Sequence, residues 1–145
     1  MASCHVAHDC QVGNDVTFAN GASLAGHVTV DDFATLGGYT LVHQFCAIGA
    51  YAFTAFGSVI SKDVPPYLTV AGNPARARGL NREGLKRHAF PDATQKALQQ
   101  AYRALYRSGG SRDELLEKLR QQARQDTHVG QLLEFLEQHQ RGIIR

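Results

Sequence analysis

The chain has 145 residues, 43% of them hydrophobic, and its formal net charge at pH 7 is +2. This composition is typical of a globular protein, and no apolar run is long enough to cross a bilayer, so we expect no membrane insertion. The cysteines Cys4, Cys10 and Cys46 lack the pairing of a zinc site. We therefore expect reduced thiols and a cytoplasmic location.

A six-residue repeat dominates the first half of the chain. Its recurring position is held by Val6, Val12, Phe18, Leu24, Val30, Leu36, Val42, Ile48, Thr54 and Ile60. A period of six fits neither an α-helix nor an alternating strand, but it is typical of hexapeptide solenoids, in which each hexad forms one short strand and a turn. We predict a left-handed parallel β-helix over residues 1–72, with three hexads per coil.

Three hexads per coil would stack residues eighteen apart at the spacing of neighbouring strands, roughly 4.8 Å. The residues brought to one outward face are His8, Gly26 and Gln44 in one column, Asp9, His27 and Phe45 in the next, and His5 and His43 beside them. Any one surface histidine is readily explained as solvated. Four on one patch favour a functional site.

The repeat pattern is interrupted at both ends of the predicted solenoid. Residues 1–5 are similar to the tail of a hexad and lack a polar cap, so we expect the chain to be the C-terminal part of a longer protein. Residues 63–67 contain two prolines, which remove ladder donors and predict that the solenoid stops after about three coils. Residues 68–72 are a candidate last strand, followed by a turn at residues 72–74.

Residues 73–90 form a predicted basic linker. Their charged side chains are Arg76, Arg78, Arg82, Lys86 and Arg87, with His88, against the single acid Glu83. Two interpretations stay open: a solvated surface, or a surface that binds phosphates or an acidic partner protein.

Residues 91–145 are predicted to form a small domain of three helices. The first begins at Pro91 and ends at Gly109. Ser111 and Glu114 form a capping box that opens the second. The third covers about residues 129–140, where apolar residues recur at helical spacing. We find no catalytic constellation in this part.

Several motifs together resemble the UDP-N-acetylglucosamine O-acyltransferase family, which performs the first step of lipid A biosynthesis. They are His5-Val-Ala-His8-Asp9-Cys10, Leu24-Ala-Gly26-His27-Val28, Val42-His43-Gln44-Phe45-Cys46, Asp63-Val-Pro-Pro-Tyr67, Gly72-Asn73, Asn81-Arg-Glu83-Gly-Leu-Lys86-Arg87 and Arg141-Gly-Ile-Ile-Arg145. The resemblance covers the whole chain and the C-terminal half of the family, whose N-terminal coils supply further substrate contacts. It implies a homotrimer with active sites between neighbouring subunits, and no nucleic-acid partner.

The resemblance also implies a reaction: transfer of a 3-hydroxyacyl group from acyl carrier protein to the 3-hydroxyl of UDP-N-acetylglucosamine. The donor is carried on phosphopantetheine of the carrier protein, so no separate cofactor is expected. His8 matches the general base, which takes the proton of a sugar hydroxyl near neutral pH. Gly26 matches the residue whose backbone N–H stabilises the oxyanion. The matched substrate contacts are His5, His27, His43 and Gln44 for the sugar and acyl group, and Asn81, Glu83, Arg87 and His88 for the nucleotide.

Phe56 falls on a different face of the predicted prism from His8. By resemblance it sits at the far end of the acyl groove, where a bulky side chain stops a long acyl chain. We therefore expect a preference for short 3-hydroxyacyl donors. The alternative is a merely solvent-exposed aromatic side chain.

Two other functions stay open. Carbonic anhydrases of the γ type use the same prism with three metal-binding histidines from neighbouring faces, but His8 and His43 fall on one face, so we expect no metal site. A non-catalytic trimerisation or binding fragment is the second alternative, because the family's N-terminal coils are not in this sequence.

Overall fold

The computed structural model describes residues 1–107 and 109–145, which carry twelve strands and four helices. The first ten strands have two residues each and follow one another at intervals of six residues. The strands are β1 (His5–Val6), β2 (Gln11–Val12), β3 (Thr17–Phe18), β4 (Ser23–Leu24), β5 (Thr29–Val30), β6 (Thr35–Leu36), β7 (Leu41–Val42), β8 (Ala47–Ile48), β9 (Phe53–Thr54), β10 (Val59–Ile60), β11 (Leu68–Gly72) and β12 (Ala75–Leu80).

These strands form the three faces of a left-handed parallel β-helix, as predicted. One face has the order β1-β4-β7-β10, the second β2-β5-β8, and the third β12-β11-β9-β6-β3. The register pairs His5 with Ser23 and Val12 with Val30, so residues eighteen apart stack as predicted.

The recurring apolar residues fill the narrow interior of the prism. Leu24, Leu36 and Ile48 are fully buried. Val6 and Val12, predicted to point into the same core, are instead 49% and 43% exposed. Both belong to the first coil, and no described strand stacks on its outer side.

Each corner of the prism has one residue in the left-handed region of backbone conformation. In the second coil these are His27, Phe33 and Tyr39, with φ of 59°, 63° and 56°. The same corner position recurs every six residues, which is why its side chains stack in columns from coil to coil. A non-glycine residue in this conformation costs roughly 1–2 kcal/mol, and the ladder on either side of the corner holds it there.

The prediction that the solenoid stops after about three coils is wrong. Val64 bridges to Ile48, and β11 then pairs in parallel with β9 through Val70 and Thr54, which completes a fourth coil. The two prolines, Pro65 and Pro66, lie in the corner between these pairings. Their missing N–H groups therefore remove no ladder bond.

Residues 73–90, predicted as a basic linker, contain regular structure. β12 pairs antiparallel with β11, and α1 (Arg82–Arg87) follows directly. In β12, Ala75 is buried while Arg76 and Arg78 are exposed, so the run of arginines is the solvent side of a strand. The Asn81 side chain caps α1 by accepting a hydrogen bond from the Gly84 backbone N–H at 3.1 Å.

Three further helices follow: α2 (Asp92–Arg107), α3 (Arg112–Ala123) and α4 (Thr127–Gln138). The predicted cap of α3 is present, since Ser111 Oγ accepts from the Glu114 backbone N–H. α4 begins two residues before the predicted start, because Asp126 accepts from the backbone N–H groups of His128 and Val129. None of the helices in the described part of the chain has the length and apolarity needed to span a membrane.

The last residues of the chain return to the solenoid. Asp63 bridges in parallel to Ile143, and the Tyr106 hydroxyl donates to the Ile144 carbonyl at 2.7 Å. The Asp63 side chain is buried and accepts from the Ala47 backbone N–H at 2.8 Å. The helical part is thereby fastened to the fourth coil.

Candidate active site

His8, Asp9 and His27 meet at the corner between the first and second faces of the prism. His8 Nδ1 lies 3.0 Å from Asp9 Oδ2, and His27 Nε2 lies 3.7 Å from the same oxygen. A carboxylate only accepts hydrogen bonds, so this contact requires a proton on His8 Nδ1 and leaves a free lone pair on Nε2 of the neutral ring. The sequence alone did not show that Asp9 orients His8.

The charge state of Asp9 fits this role. The hydrogen bond from His8, and next the charge of His27, hold the pKa of the Asp9 carboxyl below its ordinary value. Asp9 is therefore ionised at neutral pH, and a carboxylate in such a position stabilises a neighbouring imidazolium.

Gly26 lies one coil above His8 and leaves room for its ring. A Cβ at Gly26 would be 2.6 Å from His8 Cε1 and 2.7 Å from Nε2, closer than such atoms approach. The Gly26 backbone N–H donates to no acceptor within residues 1–107 and 109–145. An unprotonated ring nitrogen and an N–H donor with no described acceptor thus occur at the same corner, and these are the kinds of group that addition to a carbonyl requires.

The other predicted contacts of the sugar and acyl group lie at the same corner. The register places His5 in β1, directly before the corner, and His43 and Gln44 in the next coil above Gly26. All three are exposed. The structure therefore brings together the predicted set formed by His5, His8, Gly26, His27, His43 and Gln44.

Two further side chains, Phe45 and Arg141, pack in sequence on His27 of this cluster. The ring of Phe45 lies 4.7 Å from that of His27 at an interplanar angle of 11°, and the Arg141 guanidinium lies 5.7 Å from the Phe45 centroid. Sequence reasoning placed Phe45 in this column but gave it no role, and it named Arg141 only as part of the C-terminal motif. The eighteen-residue spacing of His27 and Phe45 was the available signal.

The predicted nucleotide contacts lie elsewhere on the prism. Asn81, Glu83, Arg87 and His88 line a cleft of about 510 Å³ between α1 and the third face. Asn81 is fixed there by a hydrogen bond from its Nδ2 to the Tyr51 carbonyl at 2.8 Å.

Phe33 also lines this cleft, and sequence reasoning missed it. The His88 ring lies 5.1 Å from Phe33 and 5.0 Å from Tyr51, edge to face. Phe33 and Tyr51 are again eighteen residues apart. Within one chain, the β2-β5-β8 face separates this cleft from the His8 corner.

Phe56 lies at the third corner and is 76% exposed. Its ring is 5.7 Å from that of Tyr39, and the absence of a side chain at Gly38 leaves it space. Its predicted role in limiting acyl length stays a prediction.

The sequence profile of the family described as UDP-N-acetylglucosamine O-acyltransferase, domain 2, matches residues 63–144. The acyl-[acyl-carrier-protein]--UDP-N-acetylglucosamine O-acyltransferase of Alkalilimnicola ehrlichii is 52% identical over 145 residues, which cover 100% of this chain and 56% of that protein. The enzyme of the same name from Halorhodospira halophila is 51% identical, with the same coverage. The chain thus spans about half the length of these relatives.

Solved structures of similar enzymes superpose on this chain. The UDP-N-acetylglucosamine acyltransferase of Francisella novicida superposes with a TM-score of 0.95 at 38% identity, covering 100% of this chain and 53% of that one. The Arabidopsis enzyme superposes with a TM-score of 0.90 at 42% identity, covering 99% and 53%.

Proposed function

This chain belongs to the UDP-N-acetylglucosamine O-acyltransferase family, and we propose that it forms the catalytic part of an enzyme that acylates UDP-N-acetylglucosamine. The donor is a 3-hydroxyacyl group on acyl carrier protein, and the acceptor is the 3-hydroxyl of the sugar, as in the first step of lipid A biosynthesis. The free cysteines support a reducing compartment, the cytoplasm.

The observation that carries this proposal is the alignment of Asp9, His8 and Gly26. His8 Nε2 takes the proton of the sugar hydroxyl as its oxygen bonds to the thioester carbonyl carbon. The carbonyl electrons move onto oxygen, and the Gly26 N–H donates to that oxyanion. When the carbon–sulfur bond breaks, the imidazolium returns its proton to the departing thiol. This sequence needs no cofactor beyond the phosphopantetheine of the donor.

We further propose that the site is completed in a homotrimer. The His8 corner and the α1 cleft lie at different edges of one prism, so one sugar nucleotide reaches both only if a neighbouring subunit supplies one of them. Exposed apolar side chains also support assembly, since Tyr39, Leu41 and Phe45 are 59%, 50% and 50% exposed.

Because the chain spans about half of its relatives, the activity test uses a chimera in which the preceding coils of the Alkalilimnicola ehrlichii protein are joined in register to this chain. The chimera is expected to transfer the acyl group in vitro. His8→Ala is expected to lower turnover by roughly 10²–10⁴-fold through loss of the base. The control is Arg124→Ala, an exposed residue at the C-cap of α3, which is expected to keep wild-type turnover.

Two results would contradict the proposal. Turnover of His8→Ala within tenfold of the parent chimera would remove His8 from the role of base. A parent chimera that binds UDP-N-acetylglucosamine but transfers nothing would favour the non-catalytic binding fragment.

A further inference from the structure

Contrary to the expectation from the sequence that there is no metal site, we propose that His8, Asp9 and His27 form a binding site for a divalent first-row transition metal ion such as Zn²⁺, and that the bound ion blocks the base. The binding site stands on geometry alone. The inhibition rests on the proposed function, because it needs His8 to act as the base.

The three side chains offer the right atoms at the right separations. One nitrogen of each histidine and one carboxylate oxygen of Asp9 all lie within 4.8 Å of one another. Zn²⁺ bonds of about 2.0–2.1 Å in tetrahedral geometry place neighbouring ligand atoms about 3.3 Å apart. The separations of 3.0 Å and 3.7 Å from Asp9 Oδ2 to His8 Nδ1 and His27 Nε2 lie on either side of that value.

The surroundings hold both rings while leaving the ligand atoms accessible. Gly26 gives His8 its position, and Phe45 stacks on His27 from the opposite side. The side chains of His8 and Asp9 are 73% and 65% exposed, so a small rotation that closes the triangle around an ion displaces no packed neighbour. Solvent then supplies the fourth ligand, as in open zinc sites.

The ligand chemistry selects the class of metal. Two imidazoles and one carboxylate suit Zn²⁺, Ni²⁺ or Cu²⁺, whereas Mg²⁺ and Ca²⁺ prefer oxygen ligands. We therefore expect no competition from Mg²⁺.

Occupancy of the site changes the tautomer of His8. A metal bonded to Nδ1 takes the lone pair of that nitrogen, so the single proton of the neutral ring moves to Nε2. His8 Nε2 then donates a hydrogen bond where the sugar hydroxyl needs an acceptor. The ion also occupies Asp9 Oδ2, so the ring loses its carboxylate partner.

Binding is tested by calorimetric titration of Zn²⁺ into this chain after treatment with a chelator. One site is expected, and its affinity is expected to fall at least tenfold in His27→Gln and in Asp9→Asn. The control Asp92→Asn, which removes an exposed carboxylate at the start of α2, is expected to bind as the parent does. Equal affinity in His27→Gln and the parent overturns the site, whatever the outcome of the acyl-transfer assay.

The tautomer is tested by nitrogen-15 NMR of the His8 ring, together with the activity of the metal-free chimera. Zn²⁺ is expected to move the His8 proton from Nδ1 to Nε2 and to inhibit transfer, while Mg²⁺ does neither. A chimera that is active without metal and equally active with the site saturated by Zn²⁺ overturns the inhibition. A chimera inactive without metal contradicts the proposed function instead, and leaves the binding result standing.

Discussion

Gly26 shows how one missing side chain shapes the candidate site. The His8 ring occupies the space that a Gly26 side chain would need, so Gly26→Ala is expected to push the imidazole away from Asp9. In the chimera we expect turnover to fall by roughly 10²–10³-fold, because base and oxyanion donor lose their alignment. The measurement is steady-state turnover at saturating substrate.

The control for this change is Gly109→Ala. Among residues 1–107 and 109–145, no atom outside its chain neighbours lies within 4 Å of a Cβ at Gly109. This control shows whether a glycine-to-alanine change away from His8 lowers turnover by itself. Turnover of Gly26→Ala equal to that of Gly109→Ala would show that the contact with His8 has no catalytic consequence.

Cys46 provides a second prediction about a single residue. The side chain is 2% exposed, and burial, with a smaller effect from Asp63, raises the pKa of its thiol to about 11. At pH 8 only about one molecule in a thousand then carries the reactive thiolate. Iodoacetamide is expected to modify Cys46 far more slowly than the partly exposed Cys4, as read by mass spectrometry of peptides. Equal modification rates of Cys46 and Cys4 are informative only in the native protein, not in denaturant. In the native protein they would show that Cys46 is accessible.

The short helix α1 carries a prediction about nucleotide binding. Arg87 is exposed at the rim of the cleft that Asn81 and His88 also line. If Arg87 contacts a phosphate, Arg87→Ala weakens binding of the UDP-sugar more at low salt than at high salt, because salt screens exposed charges. Titrations of the chimera at two ionic strengths measure this. Arg103→Ala on α2 is the control, and an equal loss at both ionic strengths would indicate a structural role for Arg87.

The third corner of the prism carries a prediction about donor length. If Phe56 ends the acyl groove, its ring excludes several methylenes, each worth roughly 0.8 kcal/mol when buried. The parent chimera is then expected to prefer donors of about ten to twelve carbons by that per-methylene value, and Phe56→Gly is expected to prefer longer ones. Rates with a series of acyl donors test this. An unchanged donor ranking in Phe56→Gly would refute the assignment, and Phe56→Leu should give an intermediate preference.

Assembly concerns the molecule as a whole. A prism with exposed apolar side chains on several edges buries more of them when it associates, and the separated His8 corner and α1 cleft require a neighbour. The chain is expected to be trimeric by light scattering at micromolar concentration. A monomer at that concentration would contradict the proposed assembly, and Leu41→Glu is expected to weaken it because the charge would be buried at the interface.

The architecture was readable from the sequence because every hexad repeats the same local demands. The six-residue period, with three hexads in each coil, predicted the three faces, the columns of stacked residues and the set of residues at the His8 corner. The elements β12 and α1 were missed because they are short. In so few residues the charge of the arginines is evident, but a strand or helix periodicity is not. The candidate last strand at residues 68–72 is present as β11, but the complete fourth coil was not predicted, because a proline's effect depends on whether it falls in a ladder or at a corner. The contact of Asp9 with His8 needed side-chain geometry, which no spacing supplies.

The register of the solenoid also governs how such a chain can change in length. A residue inserted into one strand would turn the side chains that follow it in that strand from the core toward solvent. A corner tolerates a change of length, since Thr54 and Val70 pair although they are sixteen residues apart, not eighteen. A block of eighteen residues, by contrast, adds one whole coil of roughly 4.8 Å and leaves all other pairings intact. This fold therefore lengthens by whole coils. A gene can extend the prism by duplicating one block of eighteen residues, and no new core has to evolve.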